Sequence, residues 1–219
     1  MNIVVTGSSR GMGRETAIKF LAEGHTVYGI DIKESTIPND VKYIHTICDV
    51  ADEDKLSDIA DVDILINNAG VQGTANDIEI NLKGLINCTK KYALNNKHIK
   101  SVINQAAASG STGADFGSYV ASKAGVIGYT KFTAKEIAKY GATCNSISFG
   151  GVLSPVNWEV MNDEKKWNKI MGMTPLKKWV TPAEAAEWIY FLAVTNKSCT
   201  AQDIIIDNGE MFNHTFVWN

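Results

Sequence analysis

The sequence predicts an α/β fold: a doubly wound parallel sheet between two layers of helices, three layers (α/β/α) in all. Three observations lead to it. Short β-branched apolar runs alternate along the whole chain with segments of helical spacing, the signature of strand–helix–strand units. Several of the runs are continuously apolar, as in strands buried on both faces. At 219 residues, 45% of them hydrophobic, the chain suits one domain (1–219) with a sizeable core rather than two.

The elements follow in order. Ile3 to Val5 reads as a buried strand. Gly11 to Glu23 carries Ala17, Ile18 and Leu21 on one helical face, and Gly24 ends it. Thr26 to Ile30, Tyr43 to Ile47 and Asp63 to Ile66 are the next strands. A helix is expected from about Asp77 to Leu94, a strand from Ser101 to Asn104, a helix from about Phe116 to Tyr140 and a strand from Thr143 to Ser148. Thr181-Pro182-Ala183-Glu184 opens another helix, with Thr as N-cap, Pro at the first position and Glu closing a capping box. Asp203 to Ile206 is the last strand. Only Pro155 to Thr174 interrupts the alternation: a helical insert with Trp158, Met161, Trp167, Met171 and Met173. Two readings stand for it, with 155–175 as an apolar lid over a substrate or as an insert burying its own apolar face.

Charge and composition exclude several classes. The formal net charge is −3 and no long run of Lys or Arg occurs, so a nucleic-acid partner is not expected. No stretch is long and apolar enough for a bilayer span, and the N-terminus runs straight into a strand without a signal-peptide pattern. Cys48, Cys88, Cys144 and Cys199 lie far apart, with no metal-ligand spacing among them or the four histidines. The expectation is a cytoplasmic chain with reduced thiols and no metal.

The first strand leads into Thr6-Gly7-Ser8-Ser9-Arg10-Gly11-Met12-Gly13. Glycines between a strand and a helix let the backbone approach a pyrophosphate, and the helix N-terminus offers it free N–H groups and a positive dipole end. This marks the fold as Rossmann-type, with Gly7, Ser9, Arg10, Gly11, Met12 and Gly13 as the phosphate loop. Asp31 closes the second strand, where a dinucleotide fold puts a carboxylate on the adenosine ribose. A carboxylate there accepts from the 2′-hydroxyl and repels a 2′-phosphate, which favours NAD over NADP. Arg10 pulls the other way, since a guanidinium attracts phosphate.

Further motifs resemble the short-chain dehydrogenase/reductase family over nearly the whole chain. The loop has the T-G-x-x-x-G-x-G spacing, Asn67-Asn68-Ala69-Gly70 matches N-N-A-G, and Tyr119-Val120-Ala121-Ser122-Lys123 matches Y-x-A-S-K. Cys48-Asp49-Val50 follows the third strand, Phe149 to Ser154 resembles P-G-x-x-x-T, and Gln202 to Gly209 resembles the closing strand and turn. The resemblance implies catalytic Tyr119, Lys123 and Asn81, with Lys123 also holding the nicotinamide ribose and Asn81 supporting a proton-relay water. It implies adenine contacts from Asp49 and Val50, and further cofactor contacts from Asn67, Ala69 and Gly70. Val152 would offer its backbone to the carboxamide and Ser154 its hydroxyl to the phosphates. The chemistry of the pair also follows from spacing. Residues i and i+4 face the same way on a helix, and an ammonium beside a phenol favours the phenolate, so the phenol can exchange a proton with a substrate oxygen near neutral pH.

The pattern breaks in two places. The catalytic Ser of the family falls on Ala107, or on Ala106 if no gap is allowed, within Asn104-Gln105-Ala106-Ala107-Ala108-Ser109. Loss of such a donor costs about 10²–10³ in kcat. Three readings follow: an engineered Ser replacement, a hydroxyl from Ser109, Ser111 or Thr112 on a shifted loop, or a binding protein without turnover. Second, only residues 71–80 separate Gly70 from Asn81, where the family carries a further helix, so the site is expected to be more open or covered by a partner subunit. The resemblance thus implies an NAD(P)-dependent short-chain alcohol dehydrogenase or ketoreductase, moving hydride between NAD(H) and a secondary alcohol or ketone. The alternative is an inactive NAD-binding regulator or scaffold. The resemblance also implies a homodimer or homotetramer packed through the helices of Asn81 and Tyr119, where Ala121, Ala124, Gly125 and Gly128 permit close approach to a partner or, equally, to their own sheet. The aromatic tail with Phe212, Phe216 and Trp218 is expected to dock on the body or on a neighbour.

Overall fold

A computed structural model describes residues 1–114 and 116–212; Phe216 and Trp218 lie outside the described residues. Seven strands form one parallel sheet in the order β3-β2-β1-β4-β5-β6-β7. They are β1 (Asn2–Thr6), β2 (Thr26–Asp31), β3 (Tyr43–Ile47), β4 (Ile64–Asn67), β5 (Ser101–Gln105), β6 (Thr143–Phe149) and β7 (Asp203–Ile206). The order reverses between β1 and β4, so a crevice opens at their carboxyl ends.

Strand periodicity divides the core. Ile3, Val5, Ile64, Ile66, Ile103 and Ile147 face one helical layer with Ala17, Phe20 and Ile189. Val4, Leu65, Val102 and Cys144 face the other with Tyr92, Ala134 and Ile137. Neighbours along each strand thus bury on opposite faces. The first layer holds α1 (Gly11–Ala22) and α7 (Pro182–Tyr190). The second holds α2, residues 77–94, in which two stretches wind with wide π-type turns, and α4 (Gly117–Ile137). The expected capping box at Thr181 and Glu184 is formed.

Short α3 (Ser109–Thr112) follows β5, and α5 (Trp158–Met161) with α6 (Glu164–Met173) make up the insert. Helix α2 begins at Asp77, as expected. Asp77 is fully buried and spends its carboxylate on Thr74 N and Oγ1 (both 3.0 Å) and on Ser118 Oγ (2.8 Å). It closes the short segment before α2 and ties it to the start of α4. Among the described residues no helix is long and apolar enough to cross a membrane, and no group of His, Cys, Asp or Glu is placed to hold a metal.

Candidate active site

A cavity of about 570 Å³ follows the crevice, ordinary for a small-molecule site. At one end lie Gly7, Arg10, Gly11, Met12, Asp31, Asp49 and Val50; at the other Tyr119, Lys123, Ala107, Val152 and Ser154, with Ala69 and Gly70 also on the wall. Residues from six parts of the chain therefore meet in one space because their strands all end on the same side of the sheet.

The glycine loop is packed too tightly for side chains. An ideal Cβ on Gly13 would sit 2.0 Å from Gly7 O, so α1 starts flush against the first turn. Asn68 closes the loop from β4, its amide donating to Thr6 O (2.9 Å) and Gly7 O (3.1 Å). On the other side Ser8 Oγ, Tyr43 OH, His45 and Lys33 O form a chain of hydrogen bonds at 3.1, 3.0 and 2.8 Å. Asp31 is held by the loop, with Oδ2 accepting from Ser9 N (2.9 Å) and Oδ1 from Lys33 N (3.0 Å). A carboxylate has about four acceptor positions, so capacity remains for a ribose hydroxyl. A cradle that a Cβ would fill, followed by an acid on the same wall, fits the diphosphate and ribose of a dinucleotide.

At the other end, Lys123 is 3% exposed. Its Nζ donates to Gln105 O (2.9 Å) and lies 5.7 Å from the centroid of the Tyr119 ring. Burial depresses its pKa from 10.5 to about 8, opposed only by the charge of Asp77. The ammonium still predominates at neutral pH. An ideal Cβ on Gly70 would stand 3.1 Å from Asn81 Oδ1 and 3.6 Å from Lys123 Nζ, so these groups converge around one glycine.

Four of the residues expected at the site do not line this cavity. Ser9 instead borders a shallower hollow with Arg14, Thr36 and Thr181, and gives its backbone N–H to Asp31. Gly13 is packing. Asn67 points into the helical layer, because alternation along β4 turns it inward, and its amide donates to Thr89 Oγ1 (3.0 Å) and Asn104 Oδ1 (2.9 Å). Asn81 is 1% exposed with its side chain already engaged. Its Oδ1 accepts from Val71 N (2.8 Å), and Nδ2 donates to Val71 O (2.9 Å) and Ser122 Oγ (3.0 Å). Ser122 in turn donates to Tyr119 O at 2.7 Å, so Asn81 reaches Tyr119 only through the backbone of α4. Asp49 lines the cavity but lends Oδ1 to Ala51 N (2.9 Å).

Around the missing serine, Ala106, Ala107 and Ala108 are all buried. Of the three hydroxyls considered instead, Ser109 and Thr112 border the cavity and Ser111 does not. Thr112 Oγ1 donates back to Ala108 O (3.3 Å). Ser109 Oγ and, on the other side of the alanines, Gln105 Oε1 are buried without a hydrogen-bond partner.

The large side chains of the insert lie away from the cavity wall. Trp158 is 64% exposed, and neither it nor Met161, Trp167 or Met171 lines the cavity. Trp167 packs edge-on against Trp179 at 5.0 Å. Pro155, Val156 and Asn157 form the insert's share of the wall. Among the wall residues that the sequence reading did not suspect are Trp179, Glu210 and Met211. No spacing or motif signals them, because they reach the cavity only through chain reversals.

A family model described as enoyl-(acyl carrier protein) reductase matches residues 7–210. The 3-oxoacyl-[acyl-carrier-protein] reductase of Staphylococcus aureus is 30% identical, covering 94% of this chain and 96% of the relative. Among solved structures, the ligand-free aldohexose dehydrogenase of Thermoplasma acidophilum superposes with a TM-score of 0.85 at 26% identity, covering 100% of this chain and 96% of that one. ElxO with NADP bound superposes with a TM-score of 0.84 at 26% identity, covering 96% of this chain and 98% of that one.

Proposed function

The chain belongs to the short-chain dehydrogenase/reductase family, and from that premise we propose that it is an oxidoreductase moving hydride between NAD(H) and a secondary alcohol or ketone. One observation carries the reading: a single cavity joins the glycine loop and Asp31 to the Tyr119–Lys123 pair. When bound, the nicotinamide supplies or accepts the hydride; the protein binds, orients and moves the proton. In reduction the Tyr119 hydroxyl gives its proton to the oxygen of the carbonyl as the carbon takes up hydride. The neighbouring Lys123 ammonium favours the phenolate left behind. Asn81 and Ser122 hold the turn of α4 that presents Tyr119. Gly7, Gly11, Met12 and the start of α1 take the diphosphate, Asp49 and Val50 flank the adenine, and Ala69, Gly70, Val152 and Ser154 border the rest of the cofactor.

NAD is preferred over NADP because Asp31 puts negative charge where a 2′-phosphate would lie. This preference rests on Asp31 against Arg10; the related ElxO structure holds NADP. We read the chain as one domain in which 155–175 borders the substrate, supported by Pro155, Val156 and Asn157 on the wall. It works as a homodimer or homotetramer, supported by the exposed small residues Ala121, Ala124 and Gly128 on α4.

A second reading, an NAD-binding regulator without turnover, draws on the three buried alanines where a hydroxyl is wanted. The two part on one experiment: dinucleotide binding by fluorescence and turnover over a panel of carbonyls and alcohols. The enzyme reading expects turnover that Tyr119→Phe lowers by at least about a hundredfold while binding persists, and that Ala107→Ser raises. Tight binding without turnover in both the parent and Ala107→Ser would establish the regulator instead.

A further inference from the structure

The chain leaves β7 and turns back at once. Asp207 caps that turn, its carboxylate accepting from Gly209 N (2.9 Å) and Met211 N (2.7 Å), while Glu210 N donates to Asp207 O at 3.1 Å. The turn delivers Glu210 to the cavity wall, where its carboxylate gathers two donors, Gly151 N and the Trp179 indole, and touches Thr174. Oε2 accepts from Gly151 N at 3.2 Å. Oε1 accepts from the Trp179 indole at 2.9 Å and lies 3.3 Å from the Thr174 hydroxyl, whose proton goes to Ile170 O at 2.9 Å. Both donors, Gly151 N and the indole, are neutral, and Thr174 and Trp179 are 1% and 7% exposed. The packing leaves no slack. An ideal Cβ on Gly151 would come 1.9 Å from Trp179 Nε1, and one on Gly150 2.6 Å from Glu210 Oε2.

We infer that Glu210 is a positioning residue: it clamps the loop 150–154 to Trp179 and to Thr174 at the foot of the insert, and so sets the cavity wall that Val152 and Ser154 present to the dinucleotide. The inference rests on the hydride-transfer reading above. Glu210 touches no reacting atom. Its effect passes through Gly151 N, one residue before Val152, and through Trp179, whose ring meets Trp167 of the insert. The insert and the cofactor wall therefore share one anchor, so ordering one orders the other.

The carboxylate is distinguishable from a mere packing group. In Glu210→Gln the amide oxygen still accepts from Trp179, but the amide nitrogen faces Gly151 N donor to donor, so one tie is cut selectively. Loss of a hydrogen bond to a charged group corresponds to about tenfold in an equilibrium constant. The test compares the full-length protein with Glu210→Gln and with Trp179→Phe, which removes the indole donor from the other side. Each is measured by melting temperature, dinucleotide Kd from fluorescence, KM and kcat, and hydrogen exchange of the 150–154 amides without ligand. Both variants are expected to fold, to exchange faster in 150–154, and to bind the dinucleotide about tenfold more weakly, with kcat changed by less than about threefold. Unchanged exchange in 150–154, or faster exchange with unchanged Kd, overturns the proposal. A parent protein that binds neither NAD nor NADP refutes the cofactor reading instead, and the exchange rates then still report whether Glu210 holds the loop.

Discussion

Lys123 shows how one buried charge shapes both chemistry and stability. Its ammonium lies 3% exposed with Gln105 O as acceptor, and burial lowers its pKa to about 8. The unfolded side chain titrates near the ordinary 10.5. Below about pH 8 both states are protonated and the full burial penalty opposes folding. Between about 8 and 10.5 the unfolded chain keeps a proton that the folded chain has released, so this residue's contribution to stability rises with pH. Lys123→Met abolishes that slope. Its stability relative to the parent should fall by about 1–3 kcal/mol between pH 7 and pH 10, read from denaturant unfolding at each pH. A difference independent of pH would show that the ammonium is not desolvated. The pairing of Lys123 with Tyr119 was legible from four-residue spacing alone. Its depressed pKa was not, because desolvation depends on Gln105, Gly70 and Asn81, which arrive from other strands and helices.

At the scale of elements, the strands and their order of burial follow from alternation. Ile3 and Val5 go to one layer and Val4 to the other, as the two-residue period requires. The start of α7 was equally legible, since Thr181, Pro182 and Glu184 satisfy the free N–H groups of a first turn. Thr181→Ala should cost about 1 kcal/mol and lower the melting temperature by roughly 2–4 °C with cofactor affinity unchanged, as calorimetry and fluorescence titration would report. The beginning of α2 was legible too: its turns open at Asp77, whose carboxylate accepts from the backbone N–H and hydroxyl of Thr74 three residues earlier and from Ser118. The insert left two readings open. Its aromatic and methionine side chains suggest an apolar lid, yet Trp167 finds Trp179 and Trp158 stays in solvent. An amphipathic pattern states that a face is apolar, not which surface it meets.

For the molecule as a whole, the exposed side of α4 is the face on which self-association is proposed. Ala121, Ala124 and Gly128 are exposed there, Phe132 is 48% exposed, and Gly125 is already packed against Leu82. Ala124→Arg should reduce the sedimenting mass to that of a monomer while leaving the melting curve of the dilute protein cooperative. An unchanged mass would place the contact elsewhere.

What the sequence determined by itself was everything that neighbours along the chain decide: seven strands, the glycine turn into α1, the acid at the end of β2, and a phenol one helical turn from an ammonium. What only the tertiary structure decided was which side chains are left free to act. Asn67 and Asn81 carry the expected residue types, yet the Nδ2 of Asn67 and the whole amide of Asn81 are held by neighbours packed beside them, whereas Glu210, in no motif, reaches the cavity wall. The physical reason is hydrogen-bond satisfaction. A buried polar group must find a partner, and the partner is set by what packs beside it: Gly151 and Glu210 stand 59 residues apart in the chain and meet only because β6 and β7 lie side by side.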